Sequence, residues 1–115
     1  MHLLEGIWQP VYAELDGEEA PRMFLEKLEL ELSPGLYTVR FGGEASDHGT
    51  YAADETTLTL RGVTGANAGR TIPAIFKFAG GALSICYGLS GERPPKFTTA
   101  AGQQRYLVNY HRKKS

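Results

Sequence analysis

The sequence predicts an all-β fold, a single antiparallel up-and-down barrel of about eight strands with a short helical turn in the first connection. Three observations favour this fold. Apolar and polar residues alternate in run after run, Gly, Pro and Asp punctuate the connections, and no run is followed by the long crossover that parallel strands need. The length of 115 residues predicts that residues 1–115 form one domain.

The alternating runs define the predicted strands. In residues 27–32, Leu28, Leu30 and Leu32 share one face and charged residues occupy the other, which is typical of a half-buried strand. Similar patterns predict strands at residues 7–15, 27–32, 36–41, 48–53, 56–61, 71–78, 83–89 and 105–112. Hairpin connections between consecutive runs favour an up-and-down order, and closure of the barrel removes exposed edges.

Two prolines predict departures from regular strands. Pro10 lies inside the first run and cannot donate to a β-ladder, so we expect a kink or bulge at that point. Pro21 suits the first position of a helix, and residues 18–26 are therefore predicted to form the short helical turn.

Trp8 and Arg112 are expected to close one end of the barrel. Trp8 is the only tryptophan and begins the first strand, whereas Arg112 ends the last one. If these strands pair antiparallel, the guanidinium meets the face of the indole ring, and the two groups attract. Gly6 is expected to leave room for the ring to fold back under the strand.

Composition narrows the function classes. No apolar run approaches the roughly 18 residues of a membrane span, and no charged leader precedes an apolar core, so we expect a soluble, cytoplasmic protein without a membrane partner. No nucleic-acid partner is expected either, and the sequence leaves the oligomeric state open.

The net charge of −1 conceals an asymmetry along the chain. Residues 1–60 hold 12 of the 13 acidic residues, whereas residues 61–115 hold nine of the 12 Lys and Arg. One interpretation is that complementary walls meet within the fold. The other is a basic face, formed by Arg61, Arg70, Lys77, Arg93, Lys96 and Arg105, that recruits an anion.

Catalytic chemistry is not indicated. The single Cys86 would need a base such as His48 or His111, but no spacing brings them together, and a small packing residue is the simpler interpretation. His2, His48 and His111 show no metal-ligand spacing, so no metal is expected. We therefore expect a non-enzymatic protein with no catalytic residue and no cofactor.

Two loops have alternative interpretations. Residues 65–70 offer backbone N–H groups and Arg70 to an anion, but they lack the ending of a P-loop and suit a plain connection equally. Residues 91–97 contain Arg93, two prolines and Lys96, which suits either a recognition loop or a stiff structural segment in which Phe97 plugs the barrel end.

Several segments together resemble the signature of lipocalin-like barrels, and more closely the small lipocalin-like Planctomycetes uncharacterised domain family. The matching segments are residues 4–8 with their Gly-x-Trp, 16–17, 69–76, 83–87 and 91–97 with their Arg-Pro-x-x-Phe, together with Arg112 at the end of the last strand. The resemblance covers nearly the whole chain and implies a bacterial lipocalin-like barrel, without implying an established activity.

The expected function is binding of a small, partly apolar ligand in the barrel lumen, because an eight-stranded barrel is either filled by side chains or holds one small ligand. The ligand is expected to be hydrophobic or anionic. The predicted ligand-binding residues are Tyr12, Phe24, Leu30, Tyr37, Val39, Phe41, Phe76, Tyr87 and Val108. The alternative is a filled-core interaction or regulatory module that acts through its surface. A cavity of about 300 Å³ or more would favour the ligand, and a packed lumen the module.

The first connection is expected to form a lid. Residues 16–26 are far more than a tight hairpin needs, and they leave the first strand at the end opposite Trp8. Met23, Phe24 and Leu25 are apolar in a connection that is otherwise polar, so we expect them to fold over the mouth of the barrel.

Overall fold

Nine strands and one helix are present in the computed structural model, which describes residues 4–113. The strands are β1 (Gly6–Leu15), β2 (Glu18–Glu19), β3 (Leu28–Ser33), β4 (Leu36–Phe41), β5 (Glu44–Ala53), β6 (Thr57–Gly65), β7 (Thr71–Ala79), β8 (Ala82–Gly88) and β9 (Arg105–Arg112), and the helix α1 (Arg22–Lys27) follows β2.

Eight of these strands form a closed antiparallel barrel. Neighbours follow the order β1-β3-β4-β5-β6-β7-β8-β9, and β9 pairs back with β1, while the two-residue β2 only forms a hairpin with the end of β1. The predicted all-β, up-and-down barrel is therefore confirmed. We call the end that contains Trp8 the lower end and the end at which β1 stops, at Leu15, the upper end.

Alternation places the apolar residues in the lumen. Leu30 pairs with Val39, and Leu32 with Tyr37, so the inward residues of β3 and β4 are neighbours on the inner face of the sheet. Leu30, Leu32 and Tyr37 are at most 3% exposed. The residues between them carry charges that meet outside, where Arg40 lies 3.6 Å from Glu29 and also pairs with Glu31.

Strands β5 and β6 extend beyond their predicted ends. β5 begins at Glu44 rather than at residue 48, and β6 continues to Gly65 rather than ending at residue 61. Gly65 explains the extension, because its φ of +92° and its close approach to the Ser46 carbonyl leave no space for a Cβ atom. Residues 44–47 and 62–65, which lie outside the predicted strands, thus form hydrogen-bonded strand ends.

The expected irregularity at Pro10 is a β-bulge. Pairing of β1 with β9 shifts between Pro10 and Tyr12, so that Val11 is left without a partner and is 52% exposed. The bulge reverses the alternation: Ala13 is buried, and Tyr12 lies on the outer face with its hydroxyl hydrogen-bonded to Glu14. The prediction that Tyr12 faces the lumen is therefore wrong.

Trp8 and Arg112 close the lower end as predicted. They are opposite each other in the β1–β9 ladder, and the Arg112 guanidinium carbon lies 4.2 Å from the centre of the Trp8 ring. The Trp8 Nε1 donates to the Leu4 carbonyl at 2.9 Å. The expected role of Gly6 needs correction, because a Cβ there would collide with the Arg112 guanidinium rather than with the indole ring.

The connection between β8 and β9, residues 89–104, lies along the outer face of the barrel, and we call it the strap. Arg93 fastens it: Nη1 donates to the carbonyls of Ala74 at 2.7 Å and Leu58 at 3.1 Å. Phe97 lies over Lys77, whose Nζ is 4.6 Å from the ring centre. The prediction that Phe97 plugs the barrel end is therefore wrong, and residues 91–97 have a structural role.

The predicted helical turn is present but shifted: α1 spans Arg22–Lys27 rather than residues 18–26, because Glu18 and Glu19 pair with β1, and Pro21 is the N-cap rather than the first helical residue. No helix within residues 4–113 is long and apolar enough to cross a membrane.

Candidate functional site

A cavity of about 160 Å³ occupies the upper half of the lumen. Its wall is formed by Pro10, Leu28, Glu29, Leu30, Tyr37, Val39, Asp47, Leu60, Asn67, Ile72, Tyr87, Leu89, Tyr106 and Tyr110. Below it the lumen is filled by side chains that are at most 4% exposed, among them Trp8, Leu58, Phe76, Leu83 and Ile85. The barrel thus combines a packed lower half with a small chamber above it.

Four of the predicted ligand-binding residues meet at this chamber. Leu30, Tyr37, Val39 and Tyr87 all line it. Phe76 and Val108 are also buried in the core, but neither lines the cavity.

Phe24 and Phe41 lie at the upper end without lining the cavity. Their rings are 5.4 Å apart, and they are 44% and 39% exposed. The expectation that the apolar block of the first connection covers the mouth is wrong, because Met23 is 75% exposed and only Leu25 is buried. The β1–β3 ladder stops at Trp8 and Leu30, and the Gln9 Nε2 donates to the Leu25 carbonyl at 2.9 Å. Helix α1 therefore packs beside β1 as part of the wall.

A buried carboxylate is the main polar group of the cavity. Asp47, on β5, is 6% exposed and accepts hydrogen bonds from the Asn67 Nδ2 at 2.7 Å, the Tyr37 hydroxyl at 3.2 Å and the Asn67 backbone N–H at 3.3 Å. Burial, the charge of Asp47 and this hydrogen bond together raise the pKa of Tyr37 to about 12. The Tyr37 hydroxyl therefore remains a donor at neutral pH.

Three further tyrosines line the opposite side of the chamber. The hydroxyls of Tyr87 and Tyr110 are 2.7 Å apart and share a hydrogen bond, and the ring of Tyr106 stacks on that of Tyr87 with centres 5.6 Å apart. Burial raises the pKa of all three tyrosines. The hydroxyls of Tyr87 and Tyr110 thus pair with each other, whereas that of Tyr37 pairs with Asp47.

The loop between β6 and β7 brings Asn67 to the cavity. Arg70 fixes this loop from outside, with Nη2 donating to the Leu89 carbonyl at 2.7 Å and Nη1 to the Asn67 side-chain oxygen at 3.2 Å. The backbone N–H of Asn67 is directed at Asp47, so this loop contacts an acidic group of the protein itself. This arrangement favours the plain connection over the anion-binding interpretation.

Sequence reasoning missed Asp47 and Asn67. For Asp47 a signal was present: it has the same parity as Gly49 and Tyr51, and extending that alternation backwards places it in the lumen. For Asn67 no signal was available, because its position depends on how the loop folds over the sheet.

Within residues 4–113, Cys86 does not form a catalytic pair with His48 or His111. Cys86 faces outward beneath the strap, 4.0 Å from the Thr98 carbonyl, and burial raises the pKa of its thiol. In the ladders Cys86 pairs with Leu107, and His111 lies four residues further along β9, about 13 Å away. His48 is hydrogen-bonded to Thr38 on β4. This geometry supports the packing role of Cys86.

The architecture is compatible with a lipocalin-like small barrel. No protein-family model and no curated protein matches the chain.

Proposed function

We propose that the protein is a non-enzymatic, lipocalin-like binding domain that holds a small, partly apolar ligand in the upper lumen. The observation that carries the proposal is the cavity of about 160 Å³, whose wall is mainly apolar and contains a few converging polar groups. The likeness of the barrel and of its Gly-x-Trp and Arg-Pro-x-x-Phe segments to small lipocalin-like domains supports the same function.

The cavity of about 160 Å³ is smaller than the roughly 300 Å³ expected of a ligand pocket, so it limits the ligand to a small molecule. Pockets for drug-sized molecules measure about 300–1,000 Å³, whereas an engineered apolar cavity of about 150 Å³ is known to hold benzene. The chamber therefore fits a molecule with one substituted ring or a short branched chain. The filled-core alternative describes the lower half of the lumen better, because its side chains are at most 4% exposed and do not line the cavity.

A cavity-filling variant tests the proposal. Val39 lies between Leu30 and Asp47 in the ladders, so Val39→Phe places a ring inside the chamber. Toluene is titrated into the labelled protein while amide chemical shifts are followed. We expect saturable shifts at Leu60, Ile72 and Tyr87 in the wild type and none in Val39→Phe, because the added ring occupies the space.

Val63→Phe is the matched control, since Val63 is 56% exposed on β6 and the same substitution there leaves the lumen unchanged. Its toluene titration should follow that of the wild type. Overpacking costs about 1–3 kcal/mol, so circular dichroism must show that both variants are folded. Absence of toluene binding to the wild type, or equal binding to Val39→Phe, would contradict the proposal. Native mass spectrometry of freshly purified protein then identifies any small molecule that remains bound.

A further inference from the structure

The charges around the cavity are unbalanced. Two acidic residues, Glu29 and Asp47, are among its lining residues within the described chain, and no Lys or Arg is. Glu29 already has counter-ions on the outer surface, since its carboxylate lies 3.3 Å from the Lys113 Nζ and 3.6 Å from an Arg40 nitrogen. Asp47 takes part in no salt bridge within residues 4–113. The negative charge that lacks a salt-bridge partner in the described wall is therefore that of one buried carboxylate, Asp47.

The neighbours of Asp47 are neutral donors. The Asn67 amide, the Asn67 backbone N–H and the Tyr37 hydroxyl all donate to its oxygens. This pattern suits an ionised carboxylate, which only accepts hydrogen bonds and offers about four lone-pair positions. Three hydrogen bonds from the described chain occupy three of these positions, and Asp47 is one of the residues that line the cavity. A buried charge without a counter-ion is costly, and a cation on the ligand would offset that cost.

The rest of the wall suits a cation as well. Four tyrosines line the chamber, namely Tyr37, Tyr87, Tyr106 and Tyr110. The negative face of an aromatic ring attracts an ammonium group. Leu60 and Ile72 provide apolar surface for the remainder of the molecule. An anionic group would instead face Asp47 with no cationic side chain in the described wall to receive it.

We propose that the cavity selects a small aromatic or branched aliphatic amine, whose ammonium group donates to Asp47 while its apolar part packs in the chamber. This inference rests on the proposed binding function and specifies the ligand class. It replaces the anionic ligand suggested by the basic second half of the chain with a cationic one. Asp47 is the residue that determines specificity, and Tyr37 and Asn67 position its carboxylate.

Three compounds of similar shape test the charge requirement. Benzylamine, benzyl alcohol and benzoate each carry one ring, with a positive, neutral or negative substituent. At neutral pH we expect the wild type to bind benzylamine about tenfold or more tightly than benzyl alcohol, because hydrogen bonds to charged groups are the stronger ones. Benzoate should bind most weakly. Amide chemical shifts at Asp47 and Asn67 should move with benzylamine.

Asp47→Asn removes the charge and nearly preserves the shape. It should reduce benzylamine affinity to that of benzyl alcohol, with benzyl alcohol affinity changed by less than about threefold. Asp54→Asn is the matched control, since Asp54 is exposed in the turn after β5 at the lower end, and it should retain the amine preference. If Asp47→Asn does not fold, the wild-type ranking of the three compounds remains decisive.

The outcomes separate the two proposals. Toluene or benzyl alcohol binding that Val39→Phe abolishes, without a preference for benzylamine, would overturn the amine inference and leave the binding function intact. A benzylamine preference that persists in folded Asp47→Asn would also overturn it. Absence of binding by all the compounds would overturn both proposals.

Discussion

At the scale of single residues, the contact between Trp8 and Arg112 joins the first and last barrel strands. The indole ring is 1% exposed, the guanidinium covers its face, and Arg112 Nη1 also donates to the Glu5 carbonyl at 2.6 Å. A buried ring contributes mainly through the apolar area that it removes from water, whereas the stacking interaction is a smaller addition. The two residues should therefore differ in their effect on stability.

Trp8→Ala should lower the free energy of unfolding by about 3–5 kcal/mol, as truncation of large core side chains does. Arg112→Ala should cost about 0.5–2 kcal/mol. Met23→Ala is the control, because Met23 is 75% exposed and should remain within about 0.5 kcal/mol of the wild type. Chemical denaturation monitored by circular dichroism measures all three variants. A Trp8→Ala midpoint equal to that of Met23→Ala would contradict burial of the ring.

The same scale shows where prediction from sequence succeeds and fails. Trp8 and Arg112 were predictable because each lies near a strand end with unbroken alternation around it. Tyr12 was not, because a single bulge residue, Val11, reverses the parity of every later position in β1. Asp47 shares the parity of Gly49 and Tyr51, and it was missed because the predicted strand begins at residue 48, one position after it. The residues of the site were therefore hidden by a bulge in β1 and by a strand end placed too late in β5.

At the scale of elements, the strap explains why a long irregular connection is ordered against the barrel. Besides its two bonds to backbone carbonyls, Arg93 donates through Nη2 to the Thr59 hydroxyl at 2.8 Å. At the far side Thr99 donates to the Glu14 carboxylate at 2.6 Å and accepts from the Gly17 N–H at 2.8 Å. Pro94 is fully buried between these points. The strap is thus fastened to strands β1, β6 and β7.

Arg93→Ala should release the strap locally. Loss of the guanidinium should lower the free energy of unfolding by about 1–3 kcal/mol, given the usual strength of hydrogen bonds from charged donors. Cleavage within residues 89–104 by a protease at low concentration should accelerate, because local opening exposes the backbone. Lys96→Ala, an exposed change in the same segment, should leave both measurements near wild type. Equal cleavage of the two variants would show that Arg93 does not fasten the strap.

Elements also differ in how well their sequence specifies them. β4 and β9 have the predicted bounds, since alternation and flanking turn residues agree in both. The sequence of the strap has no periodic pattern. Its path depends on the carbonyls to which Arg93 donates, and these belong to strands that are distant in sequence. Helix α1 was predictable as a helical turn, but its position was not, because the break between β1 and β3 that it fills is a feature of the closed barrel.

At the scale of the whole molecule, the two halves of the barrel differ in what fills the lumen. The lower half is filled by Trp8 and aliphatic side chains and supplies stability. The upper half contains tyrosine hydroxyls and a carboxylate where the lower half has apolar groups. Burying these polar groups costs free energy, and the hydrogen bonds between them offset that cost. Closure could be predicted from the order of the strands. The division into two halves could not, because it depends on side-chain volumes summed over eight strands.

This division makes the stability of the whole barrel sensitive to alkaline pH. The folded pKa of Tyr37 is about 12, whereas its unfolded value is 10.0, so over that interval the native state keeps a proton that the unfolded state has lost. Stability contributed by Tyr37 is complete below pH 10 and should fall by about 1.4 kcal/mol per pH unit as the pH rises towards 12. Tyr87, Tyr106 and Tyr110 act in the same direction, since burial raises their pKa values too.

Chemical denaturation at a series of pH values from about 9 to 11.5 measures this slope, and tyrosinate absorbance shows whether ionisation accompanies unfolding. Tyr37→Phe should be about 1 kcal/mol less stable at neutral pH, because it loses the hydrogen bond to Asp47. Above pH 10 its free energy of unfolding should fall less steeply than that of the wild type, by about 1.4 kcal/mol per pH unit, because one fewer tyrosine loses its proton on unfolding. Identical slopes for Tyr37→Phe and the wild type would mean that Tyr37 ionises as readily in the folded barrel as in the unfolded chain, which its burial beside a carboxylate should prevent.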